Sequence, residues 1–261
     1  MRNSSVYDVE TYIADIYDQI ITEQDDVLFI KQHLGDKNKL SILEPFCGTG
    51  RISIPLAVDG HSIVGIDNAK GMLDWFQRKL DNSKSAGEVK LINQDVLAKE
   101  WPRGFDLVIL AANCFYELAT SEVQEECIKR AFKSLRAGGY LYVDSDHMEG
   151  DLAKSWQDLG QIKKSLCGIA QDGAVVETTR KTIWFDVKKR LARFERGTTV
   201  TKKNGEVIKV TSIQQKHPVS TGEVQDWIQK HGFEIIKIYG NSDGAAYTEQ
   251  STRAIFWARK P

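Results

Sequence analysis

The sequence predicts an α/β fold in which a doubly wound, seven-stranded and mostly parallel sheet carries helices on both faces. Three patterns support this prediction. Between residues 40 and 143, apolar runs of strand length alternate with amphipathic runs of helix length. Residues 233–239 and 253–258 predict a terminal antiparallel hairpin at the sheet edge. Residues 175–215 are rich in β-branched and aromatic residues and predict an inserted antiparallel β lid.

Residues 1–37 are predicted to form an N-terminal helical cap that precedes the first strand. Ile13, Ile16 and Tyr17 recur at helical spacing, so they occupy one face of a helix. A second helical segment ends at Gly35, a residue type that often terminates helices.

Residues 38–150 are predicted to form the cofactor-binding core, because the alternation of strands and helices there is typical of a parallel sheet wound on both faces. The predicted elements are strand 40–43, a helix from 51, strand 62–66, helix 72–80, strands 89–93 and 105–110, helix 121–135 and strand 140–143. Gly138 and Gly139 are expected to form the turn into the last of these strands.

Residues 151–219 are predicted to form the antiparallel insertion. Its turn signal is Asn204 followed by Gly205, a strong two-residue hairpin sequence. The predicted strands are 175–185, 191–201 and 206–215.

Residues 220–261 are expected to complete the core with a last helix and the closing hairpin. The helix is predicted to begin at a capping box formed by Ser220 and Glu223 and to end at Gly232.

The composition indicates one sizeable protein of balanced charge. At 261 residues the chain is long enough for a well-buried domain with a smaller appendage. It has 35 Lys and Arg against 36 Asp and Glu, so no overall field favours nucleic acid or an anionic membrane. Residues 1–10 lack the apolar run of a signal peptide, and no later stretch approaches the ~18 apolar residues of a membrane span. We therefore expect a cytoplasmic protein.

The four cysteines, Cys47, Cys114, Cys127 and Cys167, show neither close pairing nor metal-ligand spacing. We expect them to be reduced thiols, and we expect no metal site.

The most informative stretch is ILEPFCGTGR, residues 42–51, in which an apolar strand runs into an acid and a tight glycine turn. Such a turn lets the backbone approach a ligand where a Cβ would clash. A second apolar run ends in Asp67, an acid placed to accept hydrogen bonds from both hydroxyls of a ribose. The two features together predict a site for an adenosine-containing cofactor.

Five segments follow one another as LEPFCGTGR, VGID, NQDV, FDLVILAANCFYEL and LRAGGYLYVD. In order and spacing they resemble the motifs of class I S-adenosylmethionine-dependent methyltransferases, from about Tyr7 to Asp144 and in the closing hairpin. An acid at Glu44 suits the ammonium group of the methionine moiety better than the glycine that opens the dinucleotide fingerprint. Phe46 departs from the family, which often has glycine at that position.

The resemblance implies S-adenosylmethionine as cofactor, S-adenosylhomocysteine as product, and a role for each motif residue. Glu44 and the Ala111 carbonyl would face the methionine ammonium, Asp67 and Asn68 the ribose, and Asp95 and Val96 the adenine. The predicted cofactor-binding residues are Tyr17, Glu44, Cys47, Gly48, Thr49, Gly50, Asp67, Asn68, Met72, Asp95, Val96 and Ala111. For Met72 and Tyr17 simple packing is an equal alternative, and for Asp95 an exposed loop residue is the alternative.

Methyl transfer asks little covalent chemistry of a protein, so positioning and exclusion of water supply most of the effect. A base is needed only when the acceptor arrives protonated or is a hydroxyl. His147 and Tyr116 are the first candidates for catalytic residues, because the carboxyl ends of strands four and five border the expected site. A structural histidine and a packed tyrosine are the alternatives. The further candidates at that rim are Asn113, Glu117, Asp144 and Asp146.

The insertion is locally basic, with ten Lys or Arg against three acids between Arg180 and Lys209. One interpretation is a lid that attracts an anionic acceptor. The other is a half-exposed sheet whose polar face discourages edge pairing.

The predicted function is transfer of a methyl group to nitrogen or oxygen of a small metabolite, because the lid after strand five resembles that of glycine and sugar N-methyltransferases. An RNA or protein methyltransferase that docks through the basic insertion is one alternative. A nucleotide-binding oxidoreductase or a non-catalytic cofactor sensor is the other. We expect a monomer or homodimer with a small-molecule partner, an acceptor that can be anionic, and neither nucleic acid nor membrane as partner.

Overall fold

The computed structural model describes residues 4–35 and 39–261. The boundary that the sequence predicts between residues 37 and 38 lies outside the described residues. The helices are α1 (Ser4–Ile20), α2 (Asp25–Leu34), α3 (Ser53–Val58), α4 (Lys70–Asp81), α5 (Ser121–Ser134), α6 (Lys154–Gln157) and α7 (Thr221–Lys230), with a 3-10 helix at Cys114–Glu117. The strands are β1 (Ser41–Pro45), β2 (Ser62–Asp67), β3 (Val89–Asn93), β4 (Phe105–Leu110), β5 (Leu135–Asp146), β6 (Ile162–Ile169), β7 (Val175–Asp186), β8 (Leu191–Thr201), β9 (Val207–Lys216), β10 (Glu234–Tyr239) and β11 (Arg253–Arg259).

The larger sheet has seven strands in the order β10-β11-β5-β4-β1-β2-β3. Four strand pairs are parallel: β1 with β2, β1 with β4, β2 with β3, and β4 with β5. Strand β11 is antiparallel to both β5 and β10. The predicted doubly wound, mostly parallel sheet with a terminal antiparallel hairpin is therefore confirmed.

Side chains alternate along the central strands between the two faces of this sheet, and both faces are apolar and buried. Leu43 and Val108 pack in a cluster with residues of α5 and α7. Ile42 and Leu107 point the other way and pack with Phe29 of α2 and with residues of α3. Every residue of β4 is buried, as is expected of a central parallel strand covered on both faces.

The smaller sheet is antiparallel, in the order β6-β7-β8-β9. Its two ends are anchored by different helices. Ile16 of α1 packs with Val176 and Val200, while Trp156 of α6 packs with Phe194. Between these two anchors the sheet lies over the edge of the core, which is the position predicted for a lid.

The sequence analysis missed β6, because its residues IKKSLCGI mix exposed and half-buried positions without a clear period of two. The helical cap also divides in a way that the sequence did not predict. Helix α2 packs on the core sheet, whereas α1 packs between α4 and the antiparallel sheet.

The predicted start of β5 is wrong by several residues, because the strand begins at Leu135 rather than at 140. Gly138 and Gly139 lie inside it, where the pairing with β4 shifts between Phe105 and Leu107. Gly138 has φ +77°, and its amide donates to the carbonyl oxygen of Lys260. The glycine pair therefore forms an irregularity within a paired strand instead of a turn before it.

Helix α7 begins with the predicted capping box. The Ser220 side chain accepts a hydrogen bond from the Glu223 amide, and the Glu223 carboxylate accepts from the Ser220 amide.

Ser220→Ala should lower the free energy of unfolding by about 1 kcal/mol, because one helix amide loses its acceptor. Chemical denaturation measures this change. Thr120→Ala is the matched control, since the Thr120 side chain makes no cap bond at the start of α5. Equal losses in both variants would contradict the capping assignment.

Candidate active site

A cavity of about 650 Å³ opens at the carboxyl ends of β1, β2 and β4. This is the edge at which open α/β sheets bind ligands, and the volume lies within the usual range for a small-molecule site. The predicted cofactor-binding residues line it with one exception, Gly50.

The glycine loop after β1 owes its shape to backbone in the left-handed region. Phe46, Gly48 and Gly50 have φ values of +65°, +51° and +79°. A Cβ on Gly48 would meet no atom within 4 Å, so that backbone leaves space for a ligand. A Cβ on Gly50 would lie 2.6 Å from the Phe76 ring, so that glycine permits α4 to pack against the loop. Phe46 adopts this left-handed conformation although it is not a glycine, and the conformation is unfavourable for a bulky side chain.

Glu44 is the buried acid of the site. It lies near the end of β1, is 6 % exposed, and accepts a hydrogen bond from the Ser53 hydroxyl of α3. Burial raises the pKa of the Glu44 carboxyl to about 8, although the Ser53 hydrogen bond and the charge of Arg51 oppose the shift. A cation beside this carboxyl would favour its ionised form and offset the loss of hydration.

Asp67 at the end of β2 connects two loops of the cavity. One carboxylate oxygen accepts from the Gly48 amide at 2.9 Å and the other from the Ala69 amide at 2.8 Å. Burial raises the pKa of Asp67 against these hydrogen bonds. The neighbouring Asn68 is exposed, and Met72 lines the same wall from the first turn of α4.

Asp95, Val96 and Ala111 line the opposite part of the cavity. Asp95 is exposed, and its carboxylate accepts from the Leu97 amide at 2.8 Å. Val96 is buried, and its carbonyl oxygen accepts from the Trp101 indole and from Arg130. The Ala111 carbonyl accepts from the Cys114 amide at 3.1 Å, which leaves one lone pair for a ligand.

Helix α1 closes one side of the cavity through Asp18. Its carboxylate accepts hydrogen bonds from the buried Thr49 hydroxyl of the glycine loop at 2.6 Å and from the Trp75 indole of α4 at 2.8 Å. Lys79 forms an ion pair with the same carboxylate at 2.6 Å. These contacts hold α1 against the glycine loop and place Tyr17 in the cavity wall.

Among the lining residues that were not predicted as site residues, Arg51 and Gln214 carry polar side chains. Arg51 binds Tyr17 and the carboxylate of Asp26, so it joins α1 and α2 to the glycine loop. Its place directly after the glycine turn was a usable signal. Gln214 reaches the cavity from β9 and donates to Glu117 at 2.8 Å. No sequence signal identified it, because only the fold brings β9 to the core.

His147 does not line the cavity, contrary to what a catalytic role requires. Its side chain is 8 % exposed. Nε2 contacts the carbonyl oxygen of Ser251, which only accepts, so Nε2 carries the proton. Nδ1 lies 2.7 Å from the Thr221 hydroxyl, 3.1 Å from the Tyr247 hydroxyl and 3.2 Å from a Glu149 carboxylate oxygen. The ring therefore joins three chain segments as a structural histidine.

Tyr116 is also outside the cavity lining, although it lies beside Glu117, which lines it. The Tyr116 ring packs under the antiparallel sheet, with its centroid 5.8 Å from that of Trp156. Its hydroxyl lies 3.3 Å from the carbonyl oxygen of Asp146. Burial raises the pKa of Tyr116 to about 12, so it does not ionise near neutral pH.

Of the remaining rim residues, Asn113 and Asp146 bind each other through side chain and backbone. Asn113 and its neighbour Ala112 both have left-handed φ values, +60° and +54°. Such strain in two successive non-glycine residues is typical of functional loops. Asp144 is buried against Arg253, and burial raises the pKa of its carboxyl to about 6.

All four cysteines are free thiols, as expected. Among the residues that the structure describes, no group of three or more His, Cys, Asp or Glu side chains is arranged to hold a metal ion. Within the same two stretches, no helix has both the length and the apolar character of a membrane span.

The chain is similar to known methyltransferases. Residues 36–225 match the family model described as "Methyltransferase domain". The chain is 24% identical over 262 residues to "Putative methyltransferase YqeM" of Bacillus subtilis (strain 168), covering 95% of each chain.

Two solved structures are similar in fold. An S-adenosylmethionine-dependent methyltransferase from Clostridium acetobutylicum ATCC 824 has a TM-score of 0.70 at 15% identity, over 94% of this chain and 96% of that one. CalS10 from Micromonospora echinaspora, an amino pentose methyltransferase with S-adenosylmethionine bound, has a TM-score of 0.61 at 16% identity, over 91% of each chain.

The buried Glu44 carboxyl predicts how stability depends on pH. Its pKa of about 8 in the folded protein lies above the ordinary value of 4.5, so the folded state holds a proton that the unfolded state has lost. The contribution of Glu44 to the free energy of unfolding therefore falls as pH rises between these values, by at most about 1.4 kcal/mol per pH unit.

Glu44→Gln removes this contribution, so its stability relative to the unaltered protein should rise from pH 5 to pH 8. Denaturation of both ligand-free proteins at several pH values measures the difference. Asp144 is present in both and cancels. Parallel pH profiles would contradict a raised pKa at Glu44.

The contacts of His147 predict a loss of stability when the ring is replaced. His147→Gln should lower the free energy of unfolding by about 1–3 kcal/mol, because the buried Thr221 and the half-buried groups of Tyr247 and Ser251 lose a partner. His231→Gln is the control, since its ring pairs with Glu125 at the surface. A His147 variant of unchanged stability that has lost activity would instead support a catalytic role.

Proposed function

This chain belongs to the class I S-adenosylmethionine-dependent methyltransferases, and we propose that it transfers a methyl group to nitrogen or oxygen of a small molecule. The product of the cofactor is S-adenosylhomocysteine. The observation that carries the proposal is the convergence of Glu44, Asp67 and the glycine loop on one cavity that extends to the antiparallel sheet.

The residues of the cavity fit the cofactor. The open space over Gly48 admits its amino-acid portion, and Glu44 is a buried carboxyl for which an ammonium group is the natural partner. We assign Asp67 to the ribose, since its carboxylate keeps lone pairs beyond those used by Gly48 and Ala69. We assign Asp95 and Val96 to the adenine, and Met72 to its face.

When bound, the cofactor supplies a methyl group made electrophilic by a sulfonium. The protein's part is to orient the two reactants and to exclude water, which can supply most of the rate effect of an in-line displacement. Tyr17, held by α1, and Gln214, held by the antiparallel sheet, bound the cavity on two sides. We assign no general base, because neither His147 nor Tyr116 lines the cavity.

The distribution of charge on the antiparallel sheet supports a small acceptor over RNA. Lys181 pairs with Glu195, Lys202 pairs with Glu206, and Arg190 donates to two backbone carbonyls. A polyanion-docking face needs cations that are clustered and not neutralised in this way. The similarity in fold to CalS10, an amino pentose methyltransferase, is consistent with a small acceptor for this chain as well.

The ribose assignment is tested by Asp67→Ala. The affinity for S-adenosylhomocysteine should fall by about 1.5–3 kcal/mol, because the ligand loses hydrogen bonds to a charged group. Titration calorimetry measures it. Asp74→Ala is the control, since Asp74 pairs with Lys70 one turn away on α4 and does not line the cavity. Unchanged affinity in the Asp67 variant would refute the assignment, and a protein that does not bind the cofactor product at all would refute the proposed function.

A further inference from the structure

The inner face of the antiparallel sheet carries two arginines side by side. Arg180 of β7 and Arg196 of β8 are register partners in an antiparallel pair, so their side chains leave the sheet on the same face. Thr178 and Thr182, two positions before and after Arg180, are buried. Because side chains alternate along a strand, Arg180 points toward the body of the protein.

This arginine pair lies between the two anchors of the sheet. On one side Val176 and Val200 pack on α1, and on the other Phe194 packs on α6. The Arg180 guanidinium stacks over the Phe194 ring, 4.8 Å from its centroid. The arginine pair therefore occupies a polar stretch of the sheet, with Arg180 half-buried and Arg196 exposed, between apolar contacts on either side.

The charges around the arginine pair are unbalanced. No carboxylate among the described side chains forms an ion pair with Arg180 or Arg196, and Lys216 of β9 adds a third cation. The nearest acid is Glu117, 3.5 Å from the Lys216 ammonium. Burial and the charge of Arg196 both lower the pKa of Arg180. Like charges directly opposite on neighbouring strands destabilise a sheet, so this arrangement disfavours the empty fold.

Neither arginine lines the cofactor cavity, but side-chain hydrogen bonds connect the exposed Arg196 to it. Arg196 donates to the Gln214 side-chain oxygen at 3.1 Å, and the Gln214 amide donates to Glu117 at 2.8 Å. Gln214 and Glu117 both line the cavity. A molecule that reaches from the cavity past Gln214 meets the arginine pair.

We propose that Arg180 and Arg196 form an anion-binding subsite that holds a carboxylate or phosphate group of the methyl acceptor, whose nucleophilic atom points into the cofactor cavity. This inference rests on the proposed function, because it names the class of acceptor for the same site. Two guanidinium groups on one face offer the planar, multiple donors that such oxyanions accept.

The experiment measures the unfolding midpoint temperature at constant ionic strength while inorganic phosphate or acetate is added, with neutral acetamide as the uncharged probe. It is run with and without saturating S-adenosylhomocysteine. At least one anion should raise the midpoint in a saturable way, and acetamide should not. The anion with the stronger effect distinguishes a phosphate-bearing from a carboxylate-bearing acceptor.

Arg180→Gln and Arg196→Gln should each raise the half-saturating anion concentration at least about tenfold, as expected for the loss of a charged hydrogen bond. Without anion both variants should be as stable as the unaltered protein or more stable, since the like-charge pair is relieved. Arg196→Lys should retain part of the response. Arg193→Gln is the matched control, because Arg193 stacks on Trp184 on the outer face of the same sheet.

The subsite would be overturned if Arg193→Gln lost the response to the anion as fully as Arg180→Gln and Arg196→Gln, or if Arg196→Gln kept the full response. Failure of S-adenosylhomocysteine to bind would refute the proposed function separately, and the measurements on the ligand-free protein would still decide whether the anion site exists. The absence of a saturable rise in the unfolding midpoint with either phosphate or acetate would also overturn the subsite.

Discussion

The hydrogen bond from the Gly48 amide to the Asp67 carboxylate connects the ends of two neighbouring parallel strands, and the cavity depends on it. Parallel pairing of β1 with β2 brings Glu44 and Asp67 to the same edge of the sheet. The left-handed backbone of the glycine loop then turns its amide toward Asp67 and leaves space above it. A buried acid, a hydrogen-bonded acid and an open strip of backbone thus meet at one place.

The two additions to the core, helix α1 and the antiparallel sheet, complete the cavity together. Asp18 holds α1 to the glycine loop and to α4, while Ile16 on the same helix packs against the sheet. A change that loosens α1 therefore affects the cofactor wall and the acceptor side at once. Helix α1 therefore holds both the glycine loop and the antiparallel sheet in place, although it precedes both in the chain.

Polar groups in the structure divide into those that are satisfied within the protein and those that are not. His147 has partners for both ring nitrogens, and its role is structural. Glu44 has one hydroxyl partner in a buried setting, and Arg180 has an aromatic ring beneath it without an ion-pair partner among the described residues. Groups of the second kind keep capacity for a ligand, and Glu44 lines the cavity.

From the sequence alone, the core could be predicted as a mostly parallel sheet with a terminal hairpin, and all but one of the residues assigned to the cofactor line the cavity. Strands β3 and β4 were predicted with their observed bounds, because apolar runs between turn signals are a local property. Glu44, Asp67 and Val96 could be placed at one edge, since residues that end parallel strands meet there.

Tertiary structure decided what periodicity and motifs do not encode. Strand β6 lacks the alternation of a half-buried strand, and it forms because β7 offers it a partner. Tyr116 follows β4 and His147 follows β5, as expected of residues at this edge. Long-range packing nevertheless turns both side chains away from the cavity. The pairing of Arg180 with Arg196 follows from the register of β7 on β8. Register and packing depend on contacts between residues distant in the chain, and for that reason the acceptor side became visible only in the folded protein.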